Sequence, residues 1–406
     1  MSTGAVRPLR HLAPLDGLRG LAILAVVFHN TVDALIRGPD HLARVLALLA
    51  GPGWIGVQLF FALSGFLIAG ELLDHRQARN YLRAFYARRA LRILPLYYAT
   101  LVLVVAVTAL LSLHAVGSYL RADGWQLGLF VNNFARPPPV GFGHFWSLAV
   151  EVQFYALVPW LVGRMRAPRL AVTCLWIAVG VLAVRTMFAW SGTGAWTIYS
   201  GTIFRLDALA LGVAGACFVR IEPVAALLPK YSGSAFLLAA AILLFGALTT
   251  HTYDYSRLAG ETFGYTLAAV ASGLVVLFAA APPAAGQAQK PWIRPLSFLP
   301  LRLVGRYSYG IYLFHNLLNH FVGVPVVRHL FPTSVPGKAM AAYSAAMFIV
   351  SFILAALSFE FFERRFLRVK PRFQTRPAAA EAALQTAPPA PVSPGALAPT
   401  EPLAAD

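Results

Sequence analysis

A histidine and an arginine share the first apolar segment of this sequence. His29 lies ten residues after Arg19, which is about 15 Å further along a helix. Ionisable groups inside such segments usually face a bundle interior or a water-filled cavity. A buried imidazole with a pKa near neutrality can take the proton of an alcohol. We therefore identify His29 as a candidate base, and a core histidine bonded to a backbone carbonyl is the structural alternative.

Basic residues at fixed spacing indicate a possible phosphate site. Arg89 and Arg92 are three positions apart, so they form one basic face at a helix end. Guanidinium groups in such an arrangement suit phosphate recognition, whereas ordinary anchoring at a membrane surface explains them equally well. Asp16 and Arg19 are also three apart and can pair on one helix face, and an interfacial ion pair is the alternative.

A carboxylate within an apolar helix is costly unless it is paired or functional. Glu151 is such a group, and Tyr155, four positions on, shares its face. Pairing with a basic residue such as Arg205 is the competing interpretation. The small residues Ser64 and Gly65 in another segment favour close helix packing.

Further polar residues lie in two later segments. Ser308, Tyr312 and His315 fall at i, i+4 and i+7, so they form one polar stripe that predicts a cavity wall. No cluster suggests a metal site. The residues that we assign to a substrate cavity are Asp16, Asn30, Ser64, Tyr155, Arg205, Asp207, Ser308, Tyr312 and His315.

The composition shows which elements must position these groups. Of the 406 residues 58% are apolar and 12% are charged, against about 25% charged in a soluble domain. This excludes a soluble protein, and two cysteines exclude a disulfide scaffold. Ten apolar segments of helix-spanning length predict an all-α polytopic membrane protein with about ten transmembrane helices in one bundle. They are roughly 15–36, 53–73, 93–113, 145–163, 170–190, 202–219, 234–250, 262–282, 303–325 and 339–362.

The net charge of +17 follows the same topology. With the amino terminus inside, 23 basic residues fall on the cytoplasmic side and 7 on the outer side, so both termini are predicted to be cytoplasmic. Nucleic acid is therefore not needed to explain the charge. We divide the chain into a cytoplasmic segment 1–14, a transmembrane domain 15–365, and a basic segment with an Ala/Pro-rich disordered tail at 366–406.

Six sequence blocks, in order, resemble the membrane-bound acyltransferase family 3, which acylates carbohydrates and other hydroxylated acceptors. They cover the chain from residue 15 to about 365. The blocks are Leu15–His29, Gly56–Leu67, Arg88–Tyr98, Trp146–Tyr155, Arg205–Gly212 and Gly305–His315.

The resemblance implies roles for particular residues. Arg19 and His29 match the first-span pair tied to activity, Arg89 and Arg92 the basic pair implicated in donor binding, and Glu151 the family's glutamate. Two features depart from the family. Ten residues usually separate the first-span pair, whereas Gly20–Phe28 makes nine, so a local bulge or Asn30 on the expected face would compensate. The family's closing Glu-Arg-Pro is Glu-Arg-Arg at 363–365.

The expected function is transfer of an acyl group, acetyl in the first instance, from cytoplasmic acyl-CoA to a hydroxyl of an extracytoplasmic glycan. Acyl-CoA would be a co-substrate, no cofactor would be bound, and the enzyme would lie in the cytoplasmic (inner) membrane. His29 would deprotonate the acceptor and Glu151 would orient the imidazole. The alternatives are acylation of a small molecule such as a macrolide sugar, and a non-catalytic exporter of lipid-linked glycan.

Overall fold

A computed structural model describes residues 12–35, 38, 40–139, 141–254, 256–281, 290–373 and 375. Most of the predicted segments 1–14 and 366–406 therefore lie outside the described residues. Within the described part the architecture is all-α. The helices are α1 Ala13–Asp33, α2 His41–Ala50, α3 Ile55–His75, α4 Tyr81–Leu110, α5 His114–Gly128, α6 Phe145–Arg164, α7 Ala167–Trp190, α8 Ala195–Ser200, α9 Leu206–Phe218, α10 Glu222–Ala225, α11 Leu228–Thr249, α12 Tyr265–Ala280, α13 Leu299–Leu318, α14 Val324–Leu330, α15 Gly337–Ser358 and α16 Arg364–Leu367.

The helices confirm the polytopic membrane class. Each of the ten predicted segments overlaps a helix, and eight helical spans in the described part are long and apolar enough to cross a membrane. The two remaining segments hold α9, which has only 13 residues, and α13, which is more polar and carries Arg302 and Arg306. An all-helical architecture is expected, because lipid offers no hydrogen-bond partners and a helix satisfies its own backbone N–H and C=O groups.

Helix α1 lies in the middle of the bundle, against α3, α13 and α15. Glycines bring its backbone close to α13, since a Cβ at Gly305 would lie 1.9 Å from the Asp16 carbonyl oxygen. A Cβ at Gly20 would lie 2.2 Å from the Leu301 carbonyl oxygen. Such close approach is how small residues let membrane helices associate. It places the polar face of α13 directly beside the polar face of α1.

Helix α3 makes a second close seam with α9. A Cβ at Gly65 would lie 2.1 Å from the Leu209 carbonyl oxygen, so Gly65 performs the packing role predicted for it. Ser64, the next residue on the helix, points instead toward α6. Helix α4 begins at Tyr81, well before the predicted segment 93–113. Arg89 and Arg92 therefore lie within α4 rather than at the helix end that we predicted.

Candidate active site

Five helices, α1, α3, α4, α6 and α13, enclose a cavity of about 110 Å³, which we name the central cavity. Eight of the residues proposed from the sequence lie on its wall. These are Arg19, Ser64, Arg89, Arg92, Glu151, Tyr155, Ser308 and Tyr312. The rest of the wall is largely apolar and is formed mainly by α3, including Phe60, Phe61, Leu63 and Leu67. The cavity is thus an apolar slot with a few polar groups, a composition typical of small-molecule sites.

A carboxylate and two hydroxyls form the polar centre of this wall. The Glu151 carboxylate accepts hydrogen bonds from the hydroxyls of Ser64 and Tyr155. Those two hydroxyl oxygens are 2.8 Å apart. The arrangement joins α3 to α6 and satisfies a carboxylate that would otherwise be costly inside the bundle. In the described part of the chain no histidine contacts Glu151.

Arginines line one end of the cavity, which we name the basic end. Glu71 of α3 pairs with Arg88, at 2.8 Å, and with Arg89. The Arg89 guanidinium also lies over the rings of Phe85 and Tyr155, 5.8 and 6.0 Å from their centroids. Its Nε is buried without a hydrogen-bond partner, and Arg92 has no ion pair among the described residues. This end of the cavity therefore has unused capacity to bind an anion.

The other end of the cavity continues into a chain of polar groups. The Tyr312 hydroxyl lies within hydrogen-bond distance of the Ser147 hydroxyl, and both contact the His144 carbonyl oxygen. The His144 ring donates from Nε2 to the Leu313 carbonyl oxygen, 3.2 Å away. Its centroid lies 5.3 Å from that of the His315 ring. Two imidazoles therefore lie directly behind the cavity wall.

His315 is held in one tautomer. Its Nδ1 lies 2.7 Å from the Tyr312 carbonyl oxygen, which can only accept, so Nδ1 carries the proton. Nε2 is then an acceptor, and the Asn30 amide donates to it at 3.0 Å. The Asn30 backbone carbonyl in turn accepts a hydrogen bond from Asn319. Asn319 opens a π-helical turn, Asn319–Gly323, a local widening that recurs at functional sites.

The structure answers the question of the shortened spacing in the first span. Helix α1 is α-helical from Ala13 to Asp33 and contains no bulge. Asn30, eleven residues after Arg19, is therefore within about 20° of its face, and His29 is turned away by about 80°. His29 Nδ1 bonds the Ala50 carbonyl oxygen at 2.9 Å, and His29 does not line the central cavity.

Five predicted cavity residues do not line the central cavity. Asn30 and His315 lie behind its wall, and Asp16, Arg205 and Asp207 lie elsewhere. Asp16 pairs with Arg19 at 3.3 Å and lines an adjoining cavity. Arg205 is enclosed by aromatic rings, those of Tyr265 at 3.9 Å and Tyr199 at 4.7 Å among them. The predicted ion pair of Arg205 with Glu151 is not formed, and the buried pair is that of Asp207 with Arg185, at 3.0 Å. The assignment of Arg205 and Asp207 to the wall of the central cavity thus has no geometric support, since Arg205 lies among aromatic rings and Asp207 faces α7 and α12.

The sequence interpretation missed four residues of the polar chain. They are His144, Ser147, Asn316 and Asn319. A signal for the last two was present, because they continue the stripe of Ser308, Tyr312 and His315 by further helical turns. For His144 and Ser147 the only signal was their position at the start of the helix that carries Glu151.

Comparisons with known proteins show what the chain is similar to. A family model described as an acyltransferase domain matches residues 12–359. The peptidoglycan O-acetyltransferase OatA of Listeria monocytogenes is 28% identical over 382 residues, which cover 87% of this chain and 55% of OatA. The putative peptidoglycan O-acetyltransferase YrhL of Bacillus subtilis is also 28% identical, with the same coverage of 87% and 55%.

A putative O-acetyltransferase of Staphylococcus aureus strain COL is 25% identical over 388 residues, or 89% of this chain and 58% of the relative. The chain thus spans little more than half the length of these curated relatives. No solved structure matches the chain significantly.

Proposed function

The chain belongs to the acyltransferase 3 family, and we propose that it transfers an acyl group, acetyl in the first instance, from cytoplasmic acyl-CoA to a hydroxyl of an extracytoplasmic glycan. The observation that carries the proposal is the central cavity, where three arginines and a carboxylate–hydroxyl cluster face one narrow space. The glycan acceptor is supported by relatives that are named as peptidoglycan O-acetyltransferases.

The arginines of the basic end are suited to the phosphates of the donor. Arg19, Arg89 and Arg92 come from two helices and converge on the same cavity. Arginine binds phosphate through charge-assisted, often bidentate hydrogen bonds. The apolar slot beyond them would take the extended pantetheine arm. We place the basic end in the cytoplasm, because the excess of basic residues on that side predicts this orientation.

The reaction requires a nucleophile and a base. The acceptor hydroxyl oxygen attacks the thioester carbonyl carbon, so a C–O ester bond forms and the C–S bond breaks. The hydroxyl proton passes to the base, and the departing CoA thiolate takes a proton to leave as the thiol. Hydroxyl donors such as Ser147 and Tyr312, which lie within hydrogen-bond distance of each other at the far end of the cavity, can stabilise the oxyanion.

Two imidazoles compete for the role of base. His29 is the base proposed from the sequence, but its ring bonds the Ala50 carbonyl oxygen at the end of α2, and His29 does not line the central cavity. Both rings donate from Nδ1 to a backbone carbonyl, which leaves Nε2 unprotonated in each. His315 is closer to the central cavity, because its ring packs against Tyr312 of the cavity wall, with centroids 5.5 Å apart. Asn30, on the face of Arg19, donates to Nε2 of His315, so the acceptor hydroxyl must displace the Asn30 amide before His315 takes its proton. We therefore favour His315 as the base and Asn30 as its positioning residue.

Glu151 takes a different role from the one expected. We proposed that it orients the base, but its partners are Ser64 and Tyr155. The carboxylate instead fixes two hydroxyls on the cavity wall, beside the path of the pantetheine amides. Glu151 is therefore assigned to positioning the donor.

The test uses the purified full chain in nanodiscs with radiolabelled acetyl-CoA and a soluble peptidoglycan fragment. We expect specific acetyl-CoA binding and an acceptor product heavier by one acetyl group. Transfer to a hydroxylated macrolide but not to glycan would favour the small-molecule acceptor. A protein that neither binds nor consumes acetyl-CoA would refute acyl transfer and favour the exporter.

Three variants then assign the base. His315→Gln should lower kcat by at least about a hundredfold, the usual contribution of a general base, with acetyl-CoA binding retained. Asn30→Ala should lower kcat less. His29→Ala is the matched control and should retain kcat. If kcat is lost only in His29→Ala, then His29 is the base.

A further inference from the structure

A second cavity adjoins the central cavity at its basic end, and we name it the nucleotide cavity. Its volume is about 450 Å³, against about 110 Å³ for the central cavity. Arg19, Arg92 and Tyr309 line both, so these three residues form the junction between the two spaces. Arg302 and Arg306 of α13 belong to the nucleotide cavity alone, and the function proposed above gives them no task.

Positive charge exceeds negative charge on this wall. Four arginines face two carboxylates, Asp16 and Glu363, and Asp16 is paired with Arg19. Arg302 has no ion pair in the described part of the chain, and its Nε is buried without a hydrogen-bond partner. Arg92 is likewise without an ion pair there. Buried donors of this kind are costly when unsatisfied, so an anionic ligand would relieve them.

The shape of the space distinguishes the kind of anion. A single inorganic phosphate would fill a small part of 450 Å³, whereas a nucleotide with several phosphates suits both the volume and the spread of the arginines. Aromatic side chains are present as well. Tyr307 and Phe359 line the cavity, and their ring centroids lie 5.6 and 5.0 Å from the Arg306 guanidinium carbon. These planar groups offer surfaces on which a purine can stack.

We propose that the nucleotide cavity binds the phosphorylated adenosine end of the acyl-CoA donor, with Arg302 as its central anion ligand. The diphosphate of the donor then lies at the junction, beside Arg19 and Arg92, and the pantetheine arm carries the thioester into the central cavity. This rests on the proposed function, and it extends the donor site from α1 and α4 to α13. The phosphate of an anionic lipid presents the same chemistry as a single phosphate, so the test separates the two sources.

The first measurement is binding of adenosine 3′,5′-bisphosphate, the nucleotide end of CoA, to the full chain in phosphatidylcholine nanodiscs. Arg302→Gln should weaken this binding by about tenfold, the loss expected when a hydrogen bond to a charged group is removed. Arg302→Lys keeps the charge and should give an intermediate affinity. Arg365→Gln is the matched control, since Arg365 is an exposed arginine of α16 and lies outside both cavities.

The second measurement compares donors. For Arg302→Gln, the ratio of kcat/KM for acetyl-CoA to that for S-acetylpantetheine should fall by about tenfold, through KM for acetyl-CoA. If the wild type transfers acetyl groups but Arg302→Gln and Arg365→Gln behave alike, the nucleotide cavity is wrongly assigned while acyl transfer stands. If wild-type binding is lost on replacing phosphatidylcholine by phosphatidylglycerol, the site belongs to lipid. A wild type that binds neither compound refutes the proposed function itself.

Discussion

Substitution of Gly305 by alanine tests whether the contact between α1 and α13 determines the donor site. The added Cβ would lie 1.9 Å from the Asp16 carbonyl oxygen, whereas ordinary contact begins at 3.4 Å, so it is 1.5 Å too close. Both atoms are fixed to helix backbones, and neither can rotate away. The two helices must therefore separate by an amount of this order.

The separation has consequences for stability and for catalysis. Overpacking of this kind costs about 1–3 kcal/mol, out of a typical stability of about 5–15 kcal/mol. It also moves Arg302 and Tyr309 of α13 relative to Arg19 of α1, which together line the two cavities. A displacement of about 1 Å within a catalytic constellation can reduce the rate about a hundredfold. We therefore expect a lower Tm and a loss of kcat/KM for acetyl-CoA at temperatures where the variant is still folded.

The assay pairs thermal unfolding in nanodiscs with steady-state kinetics on the same samples. Gly180→Ala is the control, because Gly180 is exposed on α7 and a Cβ there meets nothing within 4 Å. It should leave kcat/KM unchanged and raise stability slightly, as alanine favours a helix over glycine. A Gly305→Ala protein with the Tm and kinetics of the wild type would show that the helix contact does not control the site.

Two other predictions concern charged groups outside the reaction. Asp207→Ala leaves the fully buried Arg185 without its carboxylate partner. We therefore expect the free energy of unfolding, measured by denaturant titration, to fall by about 3–5 kcal/mol. The KM for acetyl-CoA of the folded fraction should stay unchanged. Lys370 lies beyond the last helix, and burial, followed by repulsion from Arg92 and Arg89, lowers the pKa of its amine to about 8. A bound anion favours the protonated amine, so the affinity of the wild type for acetyl-CoA should fall as the pH rises from 7 to 9. Arginine stays charged over this range, so a Lys370→Arg variant that shows the same fall would refute Lys370 as the origin of the pH dependence.

The sequence was sufficient for the class of the protein and for much of the cavity wall. A low charge content and long apolar segments leave helices as the means of satisfying the backbone in lipid. Helical periodicity placed Ser308 and Tyr312 on one stripe, and both line the central cavity. These features are local, since each depends on residues within one segment, and they are therefore readable from the chain alone.

Which of these faces meet was decided by the tertiary structure. Asn30 and His315 are 285 positions apart, and their contact arises because α1 continues without a bulge and glycines seat it against α13. Asp207 resembles a cavity residue in sequence, yet its face of α9 turns to Arg185 of α7. A polar residue inside a span must face protein rather than lipid, but the partner it meets depends on how the helices are rotated and packed. Periodicity within a single segment carries no information about that rotation.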